Sequence, residues 1–106
     1  MLSKINAEHW NDENGNPAGG NTYGNGFAIG WQNGPLNRGE ERKEPNGAFV
    51  EDVIHAAINR LEYYQASKFN STYNQVAIDR LQEALVSLHN RTADREARNV
   101  EGTHEK

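Results

Sequence analysis

Cysteine is absent from the 106 residues of this chain, so disulfide frameworks, zinc fingers and thiol chemistry are closed to it and a reducing compartment is expected. Long apolar runs are missing as well. None approaches the roughly 20 residues that cross a bilayer, and the opening MLSKINAEHW has no apolar stretch of the kind that directs secretion. Positive charge is in deficit, with 11 Lys and Arg against 15 Asp and Glu and a net charge of −4. A general nucleic-acid coat is thereby disfavoured, because non-specific affinity for polynucleotides comes from many cations neutralising phosphates. A small phosphorylated ligand needs only a few local cations and stays compatible. Apolar residues amount to 35%, and the mean hydropathy is −0.95 at a mass of 11.9 kDa, which allows one modest core and not two. So little apolar area, set against the entropy of ordering the chain, points to a second copy or a ligand as the supplement. A cytosolic, soluble chain is expected.

The composition changes near residue 46. Before it, Asn6, Asn11, Asn14, Asn16, Asn21 and Asn25 alternate with Gly15, Gly19, Gly20, Gly24 and Gly26, a mixture that favours turns and coil. Residues 1–20 are expected to form a flexible segment in which only Trp10 is equipped to dock. From Thr22 to Pro35 the run TYGNGFAIGWQNGP has strand content, with Asn25-Gly26 and Asn33-Gly34 as hairpin signals. Phe27, Ile29 and Trp31 alternate with small or polar neighbours, the pattern of a strand with one apolar face. The charged stretch up to Pro45-Asn46-Gly47 reads as a loop, so that residues 21–46 make a β-hairpin and loop.

Two helices follow. Over Ala48–Gln65 the positions Val50, Val53, Ile54, Ala57, Leu61 and Tyr64 recur at three and four, with Asn46 available as N-cap and Glu51 and Asp52 near the positive end of the helix dipole. Thr72 and Gln75 then read as a capping box, and Val76, Ala77, Leu81, Ala84, Leu85 and Leu88 form the second stripe. The short break between them predicts an antiparallel helical hairpin over 47–90. Phe49, Ile58, Ile78 and Val86 fall off these stripes and are expected to face the strands or another subunit.

The remainder, 91–106, is an Arg-containing tail. Arg91, Arg95 and Arg98 share one face if Thr92 caps a further helical turn, which gathers three guanidiniums within about 11 Å of helix rise, a spacing suited to phosphate. The plainer reading pairs them with Asp94, Glu96 and Glu101. Tyr63, Tyr64, Phe69 and Tyr73 surround the inter-helix turn, where they serve either base stacking or packing. Asn70 and Asn74 are able to read a base or ribose edge, although turns favour Asn for local reasons too. Arg38, Arg42 and Lys43 add positive charge that Glu40, Glu41 and Glu44 dilute. Neither G-x-G-x-x-G nor a P-loop is present, and His9, His55, His89 and His104 include no pair at metal-ligand spacing. Binding is favoured over turnover, with no catalytic residue, no metal and no cofactor expected.

The segments WQNGPLNRGEERKEPNGAFVEDVI at 31–54, RLEYYQ at 60–65 and RTADREARNVEGTHE at 91–105 resemble the phage anti-defence proteins that sequester cyclic-nucleotide immune signals, and most closely the first described Thoeris anti-defence sponges. Those sponges share a helical-hairpin domain with the anti-CBASS sponge. The resemblance implies capture of a TIR-generated cyclic ADP-ribose isomer without cleavage, in the cytoplasm of an infected bacterial host. It also implies assembly into dimers or hexamers, with separate sites for cyclic di- or trinucleotides in some members, and no DNA, RNA or membrane partner. On the matching positions, the resemblance implies that Tyr64 stacks on adenine, that Asn74 hydrogen-bonds the ligand, and that Arg91 with Arg95 holds the pyrophosphate, with Arg98 and Arg38 as further ligand residues. Two positions depart from the family pattern. Asn99 stands where the tail commonly has Gly, and Asn tolerates the left-handed backbone that such a turn needs. Ser71-Thr72-Tyr73-Asn74 replaces a polar-Arg-Glu-Asn pattern before the second helix, a change expected to bear on ligand preference.

The expectation is therefore an α+β chain, a small N-terminal β-hairpin or sheet packed on an antiparallel two-helix hairpin, with 21–106 as a single homo-oligomeric sponge domain. A hydrolase of the nucleotide messenger and a structural or host-protein interaction module are the alternatives. A sponge releases intact ligand on heating, a hydrolase leaves products, and an interaction module depletes no nucleotide.

Overall fold

In the computed structural model, which describes residues 2–106, the chain is α+β and divides into two compact units. The first comprises the segment up to Phe49 together with Asn99–Lys106, and the second is Val50–Arg98.

The first unit holds a three-stranded antiparallel meander, β1 (Asn6–Asn11), β2 (Pro17–Gly24) and β3 (Phe27–Trp31), in the order β1-β2-β3. Residues 6–11 and 17–20, expected as coil, are therefore paired strands; Met1 lies outside the described residues. The turn between them explains the difference. Asp12 Oδ1 accepts the backbone N–H groups of Asn14 (2.9 Å) and Asn16 (3.0 Å), and Asp12 N donates to Asn16 O (2.9 Å). Asparagine and glycine read as loop formers here because they build that turn. Trp10 docks as expected, its indole lying so close over Gly19 that a Cβ there would meet Cζ2 at 2.8 Å.

Asn25-Gly26 makes the β2–β3 turn, with Gly26 at φ +82°. Asn33-Gly34, the second expected hairpin signal, joins no strand pair, because β3 ends at Trp31. Asn46 clasps it instead: its Oδ1 accepts Asn33 N–H (2.8 Å), its Nδ2 donates to Asn33 O (3.0 Å), and its N–H donates to Gln32 Oε1 (2.8 Å). Asn46 is thus a loop clasp and not the helix N-cap, and the first helix begins later than expected. Ala48 pairs in parallel against the free edge of β3, donating to Gly30 O (2.7 Å) and accepting from Gln32 N (2.9 Å). Gly47 must be glycine for this approach, since a Cβ would meet Trp31 C and O at 2.6 Å. Trp31 is pinned by its Nε1–H to Thr22 Oγ1 (2.8 Å).

The second unit is a helical hairpin, α1 (Val50–Gln65) and α2 (Thr72–Ala97). Its most buried residues are Ile58 (5% exposed) and Ile78 (4%), both expected off the seam. The covered positions are Glu51, Val53, Ile54, Ile58, Leu61, Tyr64 and Gln65 on α1 and Asn74, Ala77, Ile78, Leu81, Ala84, Leu85, Leu88, Thr92 and Arg95 on α2. Glu51, Ile54, Ile58, Leu61 and Gln65, and Asn74, Ile78, Leu81, Leu85, Leu88, Thr92 and Arg95, recur at alternating three and four, the 3.5-residue seam of closely packed helices; most of the expected stripe positions are covered, whereas Val50, Ala57 and Val76 are exposed.

Two further expectations are corrected on α2. Its N-cap is Ser71 and not Thr72: extended at φ −160°, Ser71 accepts Asn74 N–H on Oγ at 3.1 Å. Thr92 caps nothing, because the helix runs on to Ala97; its hydroxyl donates to Leu88 O (3.3 Å), the back-bonding of a residue inside a helix. Residues 91–97 are accordingly helix, not tail.

Candidate ligand-binding site

The closed end of the hairpin is organised by Gln65. Its Oε1 accepts Ser71 N–H (2.9 Å) and its Nε2 donates to Ser71 O (3.0 Å), so one amide satisfies both backbone groups of the residue that caps α2. Asn74 joins the same network, Nδ2 donating to Gln65 Oε1 (3.1 Å) and to Phe69 O (3.1 Å). Ser67 closes the turn by donating its hydroxyl to Tyr64 O (2.6 Å) and accepting Phe69 N–H (3.1 Å). Tyr64 and Asn74, both expected to contact ligand, are therefore brought to one end, Asn74 held by Gln65 and the Tyr64 carbonyl by Ser67.

Aromatic surface is concentrated here. Tyr63 and Tyr64 sit with centroids 6.0 Å apart at 60°, and the Arg60 guanidinium lies 4.9 Å from both ring centroids. Lys68 lies 5.2 Å from the Phe69 ring centroid. Tyr73 is 89% exposed and Phe69 66%. A guanidinium against two phenol rings has its plane and charge directed by them, so Arg60 adds a held cation to the aromatic end. Sequence reasoning missed it, although its spacing of three and four to Tyr63 and Tyr64 was a readable signal. Gln65 was missed for a different reason: its partners lie across the turn, where no helical spacing points.

The other expected residues lie elsewhere. Arg91, Arg95 and Arg98 follow one another along one face near the C-terminal end of α2. Arg91 is exposed, with Nη2 3.9 Å from Glu51 Oε1 across the helix pair. Arg95 is half-buried in the seam. Arg98, the C-cap, pairs with Asp94 (3.1 Å), as the plainer charge-pair reading anticipated. Asn74 and Arg91 are seventeen residues apart on one helix, about 25 Å of rise, so a single protomer separates the aromatic and amide groups, with Arg60 beside them, from the guanidiniums of Arg91 and Arg95.

Arg38 belongs to the first unit. Its Nη1 donates to Glu101 O (3.2 Å) and stands 3.9 Å from the Glu101 carboxylate, while Arg42 reaches that carboxylate at 2.6 Å. Asn37, at φ 66°, donates its N–H to Gly102 O (2.8 Å). Glu101, sixty residues away in sequence, rather than the neighbouring Glu40, Glu41 or Glu44, thus neutralises this arginine pair. Among the described residues no group of three His, Cys, Asp or Glu gathers as a metal site, and no helix is long and apolar enough to cross a membrane.

Residues 24–93, spanning β3, the clasped loop, α1 and most of α2, match the family described as Acb2/Tad1, hairpin domain. The chain belongs to the Acb2/Tad1 hairpin family. Arg38, Tyr64, Asn74 and Arg91 lie inside the matched region, whereas β1, Arg95 and Arg98 lie beyond it. A relative from Bacillus phage SBSphiJ7 named "Thoeris anti-defense 1" is 56% identical over 61 residues, which cover 58% of this chain and 43% of the relative. The match thus takes in less than half of that relative's length.

Proposed function

We propose that this chain is a phage anti-Thoeris protein that captures a cyclic ADP-ribose-type signal, holds it intact and so starves the immune effector of its activator. The observation that carries this reading is the family match over residues 24–93 together with the 56% identity to a Thoeris anti-defence relative. Tyr64 stacks the adenine, Asn74 takes a hydrogen bond from it, and Arg91 and Arg95 hold the pyrophosphate, with Arg98 and Arg38 in supporting roles. Aromatic faces and guanidiniums are the groups that bind a nucleotide reversibly, and no catalytic base is required. The protein acts without cofactor in the cytoplasm of the infected host.

The pocket is composite. About 25 Å along α2 is too long for one small cyclic nucleotide to bridge Asn74 and Arg91 of the same protomer. An antiparallel second copy brings the guanidinium end of one hairpin to the aromatic end of the other, and a dimer or hexamer built this way also covers the exposed Tyr63, Phe69 and Tyr73. Separate uptake of cyclic di- or trinucleotides belongs to the same reading as an additional class of site.

Mixing the protein with a panel of cyclic ADP-ribose isomers and cyclic di- and trinucleotides, filtering, and analysing both filtrate and heat-released material by mass spectrometry tests the proposal. Depletion of a cyclic ADP-ribose isomer with intact recovery supports it. Depletion with altered products assigns a hydrolase, and no depletion of any compound leaves a helical-hairpin interaction module.

A further inference from the structure

A primary amide presents two donors on nitrogen and an acceptor on oxygen, so a ligand reads whichever end the protein leaves outward. At the closed end of the hairpin that choice is dictated by backbone atoms, whose donor or acceptor character is invariant. Ser71 N–H must donate and Ser71 O must accept, so Gln65 presents Oε1 to the first (2.9 Å) and Nε2 to the second (3.0 Å), and cannot be reversed. Oε1 is therefore also the atom that faces Asn74 (3.1 Å), and an acceptor there demands a donor from Asn74. The carbonyl of Phe69 makes the same demand independently at 3.1 Å. Both hydrogens of Asn74 Nδ2 are spent, and its backbone N–H is spent on Ser71 Oγ. Among the described residues no half-buried or buried side chain has a sealed polar atom without a partner, so Asn74 Oδ1, which accepts from none of them, is not sealed from solvent.

We propose that Asn74 is a donor-selecting residue, locked by Gln65 and the Phe69 carbonyl so that it offers a ligand an acceptor and no donor. Resting on the reading that a purine nucleotide is captured at this end beside Tyr64, the lock selects the exocyclic amine of adenine and rejects a base with a carbonyl at that position, such as hypoxanthine. Inverting the amide to suit a carbonyl turns Oδ1 toward two acceptors and abandons both inner hydrogen bonds. Gln65 is the positioning residue in this arrangement. Its effect is carried by Asn74, and removing it leaves the Phe69 carbonyl as the single restraint on the amide.

The test compares retention of cyclic ADP-ribose isomers with that of the matching cyclic inosine diphosphate riboses by the wild-type chain, Gln65→Ala and Gln65→Glu. Wild type is expected to hold the hypoxanthine compound about tenfold or more weakly than the adenine compound. Gln65→Ala is expected to bring that ratio toward one by weakening adenine capture and strengthening hypoxanthine capture, whereas a merely structural loss weakens both alike. Gln65→Glu keeps the acceptor that faces Asn74 and Ser71 N–H but loses the donor to Ser71 O, so it is expected to keep the adenine preference while weakening retention of both compounds. In a second, ligand-free measurement, both side-chain amide protons of wild-type Asn74 are expected to exchange slowly with solvent by NMR. Equal retention of the two compounds by wild type, an unchanged ratio in Gln65→Ala, or fast exchange of the Asn74 amide overturns the lock while leaving the capture function standing. Retention of no isomer at all removes the capture function, and the selection with it.

Discussion

Asn99 leaves α2 with φ 60°, the left-handed turn that ends a helix and that glycine adopts most freely. Asparagine bears this conformation at lower cost than other side chains, so Asn99→Gly is expected to be neutral or slightly stabilising and Asn99→Ala to cost about 1 kcal/mol in urea unfolding. Asp12 shows a second local effect. Its carboxyl is held below the usual value chiefly by the Asn16 N–H, with the Asn14 N–H and His104 acting the same way and desolvation opposing them. A lowered folded-state pKa contributes stability above the unfolded value, near about 3.9, and loses it as pH falls through the folded value. Asp12→Asn is thus expected to melt below wild type at neutral pH, with the gap closing below about pH 4. Arg91 is the residue on which the proposed pyrophosphate contact rests most directly. It is exposed and 3.9 Å from Glu51, so Arg91→Ala should leave the helical circular dichroism intact and weaken nucleotide retention about tenfold or more.

Among the elements, the hairpin seam decides what the helices can do. Polar residues close it at both ends, Gln65 and Asn74 at the turn and Glu51 with Arg91 at the opening, while Ile58 and Ile78 fill it between. Asn74 and Arg91, one at each end of the seam, are also candidate binding groups. Capping separates the two readings of where α2 starts. Ser71→Ala should destabilise the hairpin by about 1 kcal/mol, and Thr72→Ala should do almost nothing; thermal melts of the two variants decide it. Both helices were legible in their three-four periodicity, and so was most of the seam, from Ile54 and Leu61 to Leu81, Leu85 and Leu88, but its most buried residues, Ile58 and Ile78, were not. Choosing Ile58 over Ala57, or Ile78 over Val76, depends on the angle at which the helices pack, and a stripe several residues wide admits both choices. The strands were legible where β-branched and aromatic residues alternate, at 22–31, and were missed at 6–11, where Asn, Glu and His hold a strand only through its pairing with β2.

For the whole molecule the governing fact is how little is buried. Among the described residues Ile58 and Ile78 are the buried hydrophobic ones, whereas Trp10, Tyr23, Tyr63, Phe69 and Tyr73 remain exposed. The proposed self-association supplies the missing burial, so the apparent melting temperature should rise with protein concentration and light scattering should give a mass above 11.9 kDa. A concentration-independent melt at monomer mass would count against the composite pocket.

Composition, periodicity and residue chemistry by themselves determined the α+β class, the two helices and the absence of thiol chemistry, because those depend on residue types and near-neighbour spacing, while the run of residues in the segments at 31–54, 60–65 and 91–105 carried the family resemblance. Only the tertiary structure decided that Asn46 clasps a loop, that Glu101 neutralises Arg38 and Arg42, that Gln65 fixes the amide of Asn74, and that the aromatic cluster and Arg91 stand at opposite ends of one hairpin. Each of these joins residues brought together by turns and packing, and the angle of a turn is set by hydrogen bonds whose partners no spacing along the chain reveals.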